Sequence, residues 1–244
     1  MKERRIRHPR SDAKNVSARA LFAYAKTLYN HARDTRDYAR GFALLKQAAN
    51  KGLPEADEWL GFVYHCGIGT RRNPRLAFQH YKIAADAGQA NAEYHVGVFY
   101  ERGIGVQKDR KNAVIWIKRA AGHGSASATY WMGWYYLNTS DTQSKRRGFR
   151  LVLNAAERGE PQAQHATAVC YEKGEGVKSD FASAFKWYLR AARRGYPYAI
   201  EAVARCYGAG IGTRVNRQKS QFWYKRAQSH RRDSNVSDRK GSKA

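Results

Sequence analysis

Small and bulky residues recur along this chain at a spacing of about 36 residues. A glycine follows a pair of alanines five times, at Gly52, Gly88, Gly124, Gly159 and Gly195. Within each interval the apolar residues lie three or four positions apart, the spacing that puts side chains on one face of an α-helix. Regular periodicity over this length indicates one supersecondary unit stacked along an axis.

The periodicity divides the chain into six repeats with a charged, serine-rich tail at each end. Each repeat is predicted to form a helix, a glycine loop and a second helix, so the fold class is all-α. The repeats lie at about 17–52, 53–88, 89–124, 125–159, 160–195 and 196–231. No linker interrupts them, so 17–231 is predicted to be one domain. The basic tail at 1–16 and the tail at 232–244 are predicted to be flexible.

Five of the six predicted first helices carry a small residue three positions before a tyrosine. The small residue lets a neighbouring backbone approach closely, and the tyrosine fills the space beside it. The small positions are Gly61, Gly97, Gly133, Ala168 and Ala204, with Lys26 in the first repeat, and the tyrosines are Tyr29, Tyr64, Tyr100, Tyr136, Tyr171 and Tyr207. Glycine inside a helix costs about 1 kcal/mol relative to alanine, so close packing is the expected compensation.

The loop after this helix contains Gly-x-Gly in four repeats, beginning at Gly67, Gly103, Gly174 and Gly210. Glycine adopts positive φ without strain, which suits a helix end followed by a tight reversal. A nucleotide-binding loop would need a preceding strand and a third glycine or a Lys-Ser/Thr pair, which the sequence lacks. Residues with a side-chain oxygen are then predicted to cap the second helix: Asp37, Asn73, Asp109, Ser144, Asp180 and Asn216.

The second helix is predicted to bury a mostly bulky column, formed by Leu44, His80, Trp116, Leu151, Trp187 and Trp223. His80 occupies a position that holds Leu or Trp elsewhere, so it is predicted to be a packing histidine. The fourth repeat departs from the pattern, because its loop at 138–141 lacks both glycines and one residue, and Arg146-Arg147 follow it. Either function or sequence drift explains this departure.

The chain has a formal net charge of +25, and the repeats carry +17 of it. Such a charge fits either solvated helix faces or an acidic partner, which could be nucleic acid, an anionic membrane surface or a protein. The three cysteines, Cys66, Cys170 and Cys206, form no CxxC pair and are predicted to be buried thiols. The basic N-terminus precedes no apolar run, and no apolar stretch is long enough to span a bilayer, so a cytoplasmic location is predicted.

The sequence contains no catalytic motif. It has no Gly-x-Ser-x-Gly, no His-Glu-x-x-His and no Cys/His arrangement at metal-ligand spacing. The histidines are scattered without a repeated acidic or cysteine neighbour. We therefore predict a non-enzymatic protein without a cofactor or metal.

The repeated columns resemble the Sel1-like repeat. Residues 56–88 carry its pattern almost completely, from Ala56, Trp59, Leu60 and Gly61 to the pair Ala84-Ala85 and Gly88. The resemblance extends over about 17–231, with the first and fourth repeats degenerate. It implies a right-handed α/α superhelical solenoid related to tetratricopeptide repeats. It also implies a scaffold or adaptor whose groove is lined by the first helix of each repeat.

Two positions in each first helix are predicted to face this groove. They lie three residues before the small position (Glu58, Tyr94, Tyr130, His165 and Glu201) and directly after it (Phe62, Val98, Trp134, Val169 and Arg205). Tyr94, Tyr130 and Trp134 are predicted to form a hot spot for a peptide or helix of a partner protein. Alternatively, these residues pack between neighbouring repeats. The second candidate function is binding of an acidic partner or a polyanion through the basic surface.

Overall fold

The computed structural model describes the backbone of residues 16–241 and the side-chain environments of 16–229. Within these residues the chain forms twelve α-helices and no strand, which confirms the all-α class. It divides into two compact units on either side of the peptide bond between His123 and Gly124. That bond lies one residue before the predicted boundary between the third and fourth repeats. The single domain predicted over 17–231 stays a prediction, and the N-terminal tail falls outside the described residues except for Val16.

The N-terminal unit contains the first three pairs of helices. They are α1 (Ala18–Asn30), α2 (Thr35–Asn50), α3 (Pro54–Cys66), α4 (Pro74–Asp86), α5 (Ala90–Arg102) and α6 (Arg110–Gly122). Each helix packs against the next one along the chain, which is the arrangement of an α/α solenoid.

The C-terminal unit repeats this arrangement with the remaining helices. They are α7 (Ala126–Leu137), α8 (Thr142–Glu157), α9 (Pro161–Lys173), α10 (Phe181–Arg193), α11 (Pro197–Ala209) and α12 (Arg217–Gly241). Helix α12 continues beyond position 231, so the backbone of 232–241 is helical where the sequence predicted a flexible tail.

The predicted small positions are the points of closest approach between paired helices. A Cβ atom added to Gly61 would lie 2.7 Å from the Tyr81 ring, and one added to Gly97 would lie 2.6 Å from Cγ1 of Ile117. Tyr81 and Ile117 are fully buried. They follow directly after His80 and Trp116, so the predicted bulky column lies one residue before the residues that fill the centre of the core. The same holds for Leu45, Val152 and Tyr188, whereas in the sixth repeat the predicted Trp223 is itself buried and the following Tyr224 is exposed.

His80 lies beside this central column. Its ring stacks on Tyr64 with the centroids 5.4 Å apart, and its Nδ1 lies 2.8 Å from Oδ1 of Asp57. Both contacts agree with the predicted packing role.

The two glycines of each loop have different structural tasks. Gly67 ends α3 in the left-handed region, with φ of +74°, and its N–H donates to the Val63 carbonyl. Gly69 also has positive φ, and a Cβ there would lie 2.5 Å from the Tyr38 carbonyl oxygen in the preceding repeat. The second glycine therefore lets the loop lie against the start of the previous second helix.

The first and fourth repeats begin their second helix one turn earlier than predicted. The caps are Asp34, which accepts from Arg36 and Asp37, and Asp141, which accepts from Ser144. The predictions of Asp37 and Ser144 were wrong because shorter loops lengthen α2 and α8 to 16 residues each. The caps Asn73, Asp109 and Asp180 are confirmed, and Asn216 accepts from the Lys219 N–H.

The three cysteines do not share one environment. Cys170 and Cys206 are buried as predicted, and burial raises the pKa of Cys170 to about 12. Cys66 is exposed, which contradicts the prediction. It is the last residue of α3, directly before the C-cap Gly67.

Replacing Gly61 by Ala tests the close approach. The added methyl group would clash with the buried Tyr81 ring, so we expect Gly61→Ala to lower the free energy of unfolding by about 1–3 kcal/mol. Gly122→Ala is the matched control, because a Cβ there meets nothing within 4 Å. The control is expected to be neutral or stabilising by up to about 1 kcal/mol in urea titrations followed by circular dichroism. Equal behaviour of the two variants would contradict the packing account.

His95 generates a pH-dependent stability. Its ring stacks on Tyr81 with the centroids 4.6 Å apart, and burial, helped by the nearby His65, lowers the pKa of His95 to about 4. The unfolded chain takes up this proton near pH 6.5 and the folded chain only near pH 4, so acidification in this window favours unfolding. We expect a loss of about 2 kcal/mol between pH 7.5 and pH 5 from this residue. His95→Phe keeps the stacking and should flatten the pH dependence of urea unfolding by that amount; an unchanged slope would contradict the account.

Candidate functional site

The predicted groove positions of the N-terminal unit lie on α3 and α5. Phe62 is 44% exposed and its ring meets the edge of Trp59. Glu58 is half-buried; burial raises the pKa of its carboxyl group, and a hydrogen bond with the Asn91 side chain opposes the change. Tyr94 and Val98 are half-buried, and the Tyr94 ring contacts His95.

The predicted hot spot does not fall within one unit. Tyr94 belongs to the N-terminal unit, whereas Tyr130 and Trp134 belong to the C-terminal unit. Trp134 is 51% exposed, but Tyr130 packs against the core cluster around Val152. Tyr130 therefore takes part in core packing, as the alternative interpretation predicted. The hot spot as a whole stays a prediction.

The C-terminal unit contains a cleft of about 510 Å³ that brings three predicted positions together. His165 of α9 and Glu201 and Arg205 of α11 all line it. Val169, also predicted for the groove, instead packs against the core of this unit. The remaining lining residues are Tyr188, Tyr198, Ala202, Tyr224, Ala227 and Gln228.

Aromatic rings form the walls of this cleft. The His165 ring lies 5.4 Å from Tyr188 and 6.2 Å from Tyr198, measured between ring centroids. Tyr198 is 66% exposed and Tyr224 is 49% exposed, whereas Tyr188, Ala202 and Ala227 are buried. The cleft thus has a buried apolar floor between two exposed tyrosines. Burial lowers the pKa of His165, which favours its neutral form.

A hydrogen-bonded network fixes Arg205 at the side of the cleft. Its two terminal nitrogens lie 2.8 and 2.9 Å from the two carboxylate oxygens of Glu172, and the Tyr188 hydroxyl donates to the same carboxylate at 2.6 Å. The hydrogen bond from Arg205 lowers the pKa of Glu172, while burial raises the pKa of Tyr188. The arginine is therefore held in a bidentate ion pair rather than offered to a ligand.

Sequence reasoning missed several of these residues. Glu172 and Tyr188 lie outside the groove columns, and Tyr224 belongs to a second helix, which the prediction did not place at the groove. The sequence did contain a sign that Tyr198 is exposed, because this tyrosine lies near the start of a predicted helix and outside every core column. The sign for Tyr224 was weaker: it occupies the position that Tyr188, which also lines the cleft, fills one repeat earlier.

Positive charge is concentrated on the second helices of the repeats. Up to Ser229, these helices carry 20 Lys and Arg and 3 Asp and Glu. The first helices carry 5 Lys and Arg and 7 Asp and Glu. A basic surface in this protein is therefore a property of the second helix of each pair, whereas all three predicted residues of the cleft belong to first helices.

The described part of the chain contains no group of three metal-ligating side chains. None of its helices combines the length and the apolar character needed to cross a lipid bilayer.

The Sel1 repeat family matches six consecutive segments of the chain, at 18–53, 54–89, 90–125, 126–160, 161–196 and 197–227. The bounds of these segments differ from those of the predicted repeats by one residue, except that the last segment ends at 227 and the last predicted repeat at 231. No curated protein matches the chain.

Solved structures agree with this assignment. A Sel1 repeat protein from Oxalobacter formigenes is 27% identical over 91% of each chain, with a TM-score of 0.76. The protective antigen c5321 of uropathogenic Escherichia coli, which has an SLR fold, is 26% identical, with a TM-score of 0.65; the match covers 89% of this chain and 47% of that one. The immunity protein Pa5087 from Pseudomonas aeruginosa is similar in fold, at 18% identity over 87% of this chain and 81% of its own, with a TM-score of 0.65. The chain therefore belongs to the Sel1 repeat family.

Proposed function

We propose that this protein is a scaffold that binds a segment of another protein in the cleft of its C-terminal unit. Proteins built from Sel1 repeats are generally protein-interaction scaffolds and are typically not catalytic. The observation that carries the proposal is the convergence of His165, Glu201 and Arg205 with exposed Tyr198 and Tyr224 around one cleft.

The shape and lining of the cleft favour a peptide segment. Exposed tyrosines present large, rigid surfaces that lose little conformational entropy on binding, which is why they are enriched in binding hot spots. The apolar floor between them suits one inserted bulky side chain. The hydroxyl groups of the exposed Tyr198 and Tyr224 add polar atoms to the lining, which suit the polar backbone of a bound segment.

The electrostatics of the cleft favour an uncharged or basic segment over an acidic one. Arg205 is neutralised by its bidentate pair with Glu172, so the charge it could give to an acidic ligand is already used. Glu201 adds a carboxylate to the lining. The acidic partner or polyanion predicted from the total charge therefore needs a different surface, and that function stays a prediction.

Removal of the two exposed tyrosines tests the cleft. We expect peptides selected on the wild-type protein from a displayed random library to bind Tyr198→Ala/Tyr224→Ala at least about tenfold more weakly, because each tyrosine contributes on the order of 1 kcal/mol. Both side chains are largely exposed, at 66% and 49%, so the fold should persist. Titration calorimetry with purified peptides measures the change.

The control variant is Phe181→Ala/Phe222→Ala. It also removes two aromatic side chains from the C-terminal unit, 51% and 60% exposed, that do not line the cleft. Its affinity for the same peptides should stay within about twofold of wild type. Equal losses in both double variants, or full binding by the tyrosine variant, would refute the cleft as the binding site.

A further inference from the structure

Helix α8 presents a cluster of exposed cations in the described part of the C-terminal unit. Arg146, Arg147 and Arg150 lie within two turns, are all exposed, and line one open cleft of about 880 Å³. Tyr136, Asp141, Thr142, Gln143 and Ser144 complete its lining. None of these residues takes part in the tyrosine-lined cleft described above.

The packing of α8 determines where these arginines point. Gly148 is buried, and a Cβ there would lie 2.8 Å from the Gly133 carbonyl oxygen of α7. Phe149 and Val152 are also buried. Because an α-helix turns by about 100° per residue, burial of 148 and 152 leaves 146 and 150 on the opposite face. The arginines are exposed because α7 and α8 approach so closely on the other side.

The arginines have no acidic partner among the described residues. The ion pairs of the described chain involve other cations, including Arg36, Lys82, Arg119 and Arg205. Arg147 instead stacks on the Tyr136 ring, with its guanidinium carbon 4.6 Å from the ring centroid. This contact orients one guanidinium group while leaving its N–H donors available.

Asp141 is the one carboxylate that lines this cleft. It accepts the Ser144 N–H at 2.6 Å, and hydrogen bonds from the Ser144 hydroxyl and N–H lower its pKa. Asp141 is thus engaged as the cap of α8 and balances one of the three positive charges. The remaining positive charge and the guanidinium N–H donors are the groups that proteins use to bind a dianionic phosphate group.

We propose that Arg146, Arg147 and Arg150 bind a phosphoserine- or phosphothreonine-bearing segment of a partner protein. This inference goes beyond the proposed function, because it uses a separate set of residues and does not depend on the tyrosine-lined cleft. It gives a functional meaning to the irregular fourth repeat, whose shortened loop starts α8 at Thr142 and carries the cap Asp141.

Two features favour a phosphorylated protein over nucleic acid at this site. The three arginines span about 6 Å along the helix axis, which suits one phosphate group rather than a strand of successive phosphates. Arg147 lies over one face of the Tyr136 ring, which removes that face as a surface on which a base could stack.

Fluorescence anisotropy with three labelled probes tests this site at 150 mM salt. The probes are the peptide Gly-Gly-phosphoserine-Gly-Gly, its unphosphorylated form and a twelve-residue oligothymidylate. We expect the phosphopeptide to bind at least about tenfold more tightly than the unphosphorylated peptide, and Arg146→Gln/Arg147→Gln/Arg150→Gln to remove this difference.

The control variant, Lys186→Gln/Arg193→Gln/Lys225→Gln, removes the same charge from exposed positions on α10 and α12. It should keep phosphopeptide affinity within about twofold of wild type. Equal loss of affinity in both triple variants would show that net charge alone drives binding and would refute the site. Equal affinity of the wild type for the phosphorylated and unphosphorylated peptides would also refute it. Oligothymidylate that binds more tightly than the phosphopeptide and requires the same arginines would identify nucleic acid as the occupant and overturn the proposal. Far-ultraviolet circular dichroism of each variant confirms that the helices are intact.

Discussion

The close approach of the two helices in each repeat is the constraint on which the rest of this structure depends. Gly61, Gly97 and Gly133 leave no room for a Cβ atom, and Ala168 and Ala204 fill the equivalent positions with no exposed surface. Backbones this close let one large side chain from the second helix, such as Tyr81 or Ile117, fill the space between helices. The rotation of every helix about its axis follows from this contact. That rotation decides which side chains reach the surface, including the arginines of α8.

The close packing buries acidic side chains of two first helices, and each of them has a polar partner. Glu93 has no exposed surface, yet Arg119 Nε lies 2.6 Å and His123 Nδ1 3.0 Å from its carboxylate. Asp57, one repeat earlier, is 5% exposed and contacts His80. A buried carboxylate without such partners would cost several kcal/mol, so each acid buried on a first helix has a hydrogen-bond or ion-pair partner on the second helix or directly after it. In the C-terminal unit Thr129, Gln164 and Ile200 occupy the same position without charge, so each unit balances its interior differently.

The two proposed binding sites use the two kinds of helix for different chemistry. The tyrosine-lined cleft draws His165, Glu201 and Arg205 from first helices, where acids slightly outnumber bases. The phosphate site lies on a second helix, where Lys and Arg dominate. Separating the charges in this way lets a single repeat architecture offer an aromatic surface and a cationic surface to different parts of a partner. The arginine site takes none of its three cations from the core, whereas the tyrosine-lined cleft takes its floor from the buried core residues Tyr188, Ala202 and Ala227.

Periodicity in the sequence was enough to determine the repeat boundaries, the helix pairs, most helix caps and the glycine loops, because these features depend on residues close together in the chain. It misplaced the caps Asp34 and Asp141, since a local shortening of the loop changes where a helix starts. It selected His165, Glu201 and Arg205 as surface positions, but could not show that they share a cleft with Tyr198 and Tyr224 or that Glu172 neutralises Arg205. The residues concerned lie on three different helices, α9, α11 and α12, and only the packing of one helix against another decides which of them meet.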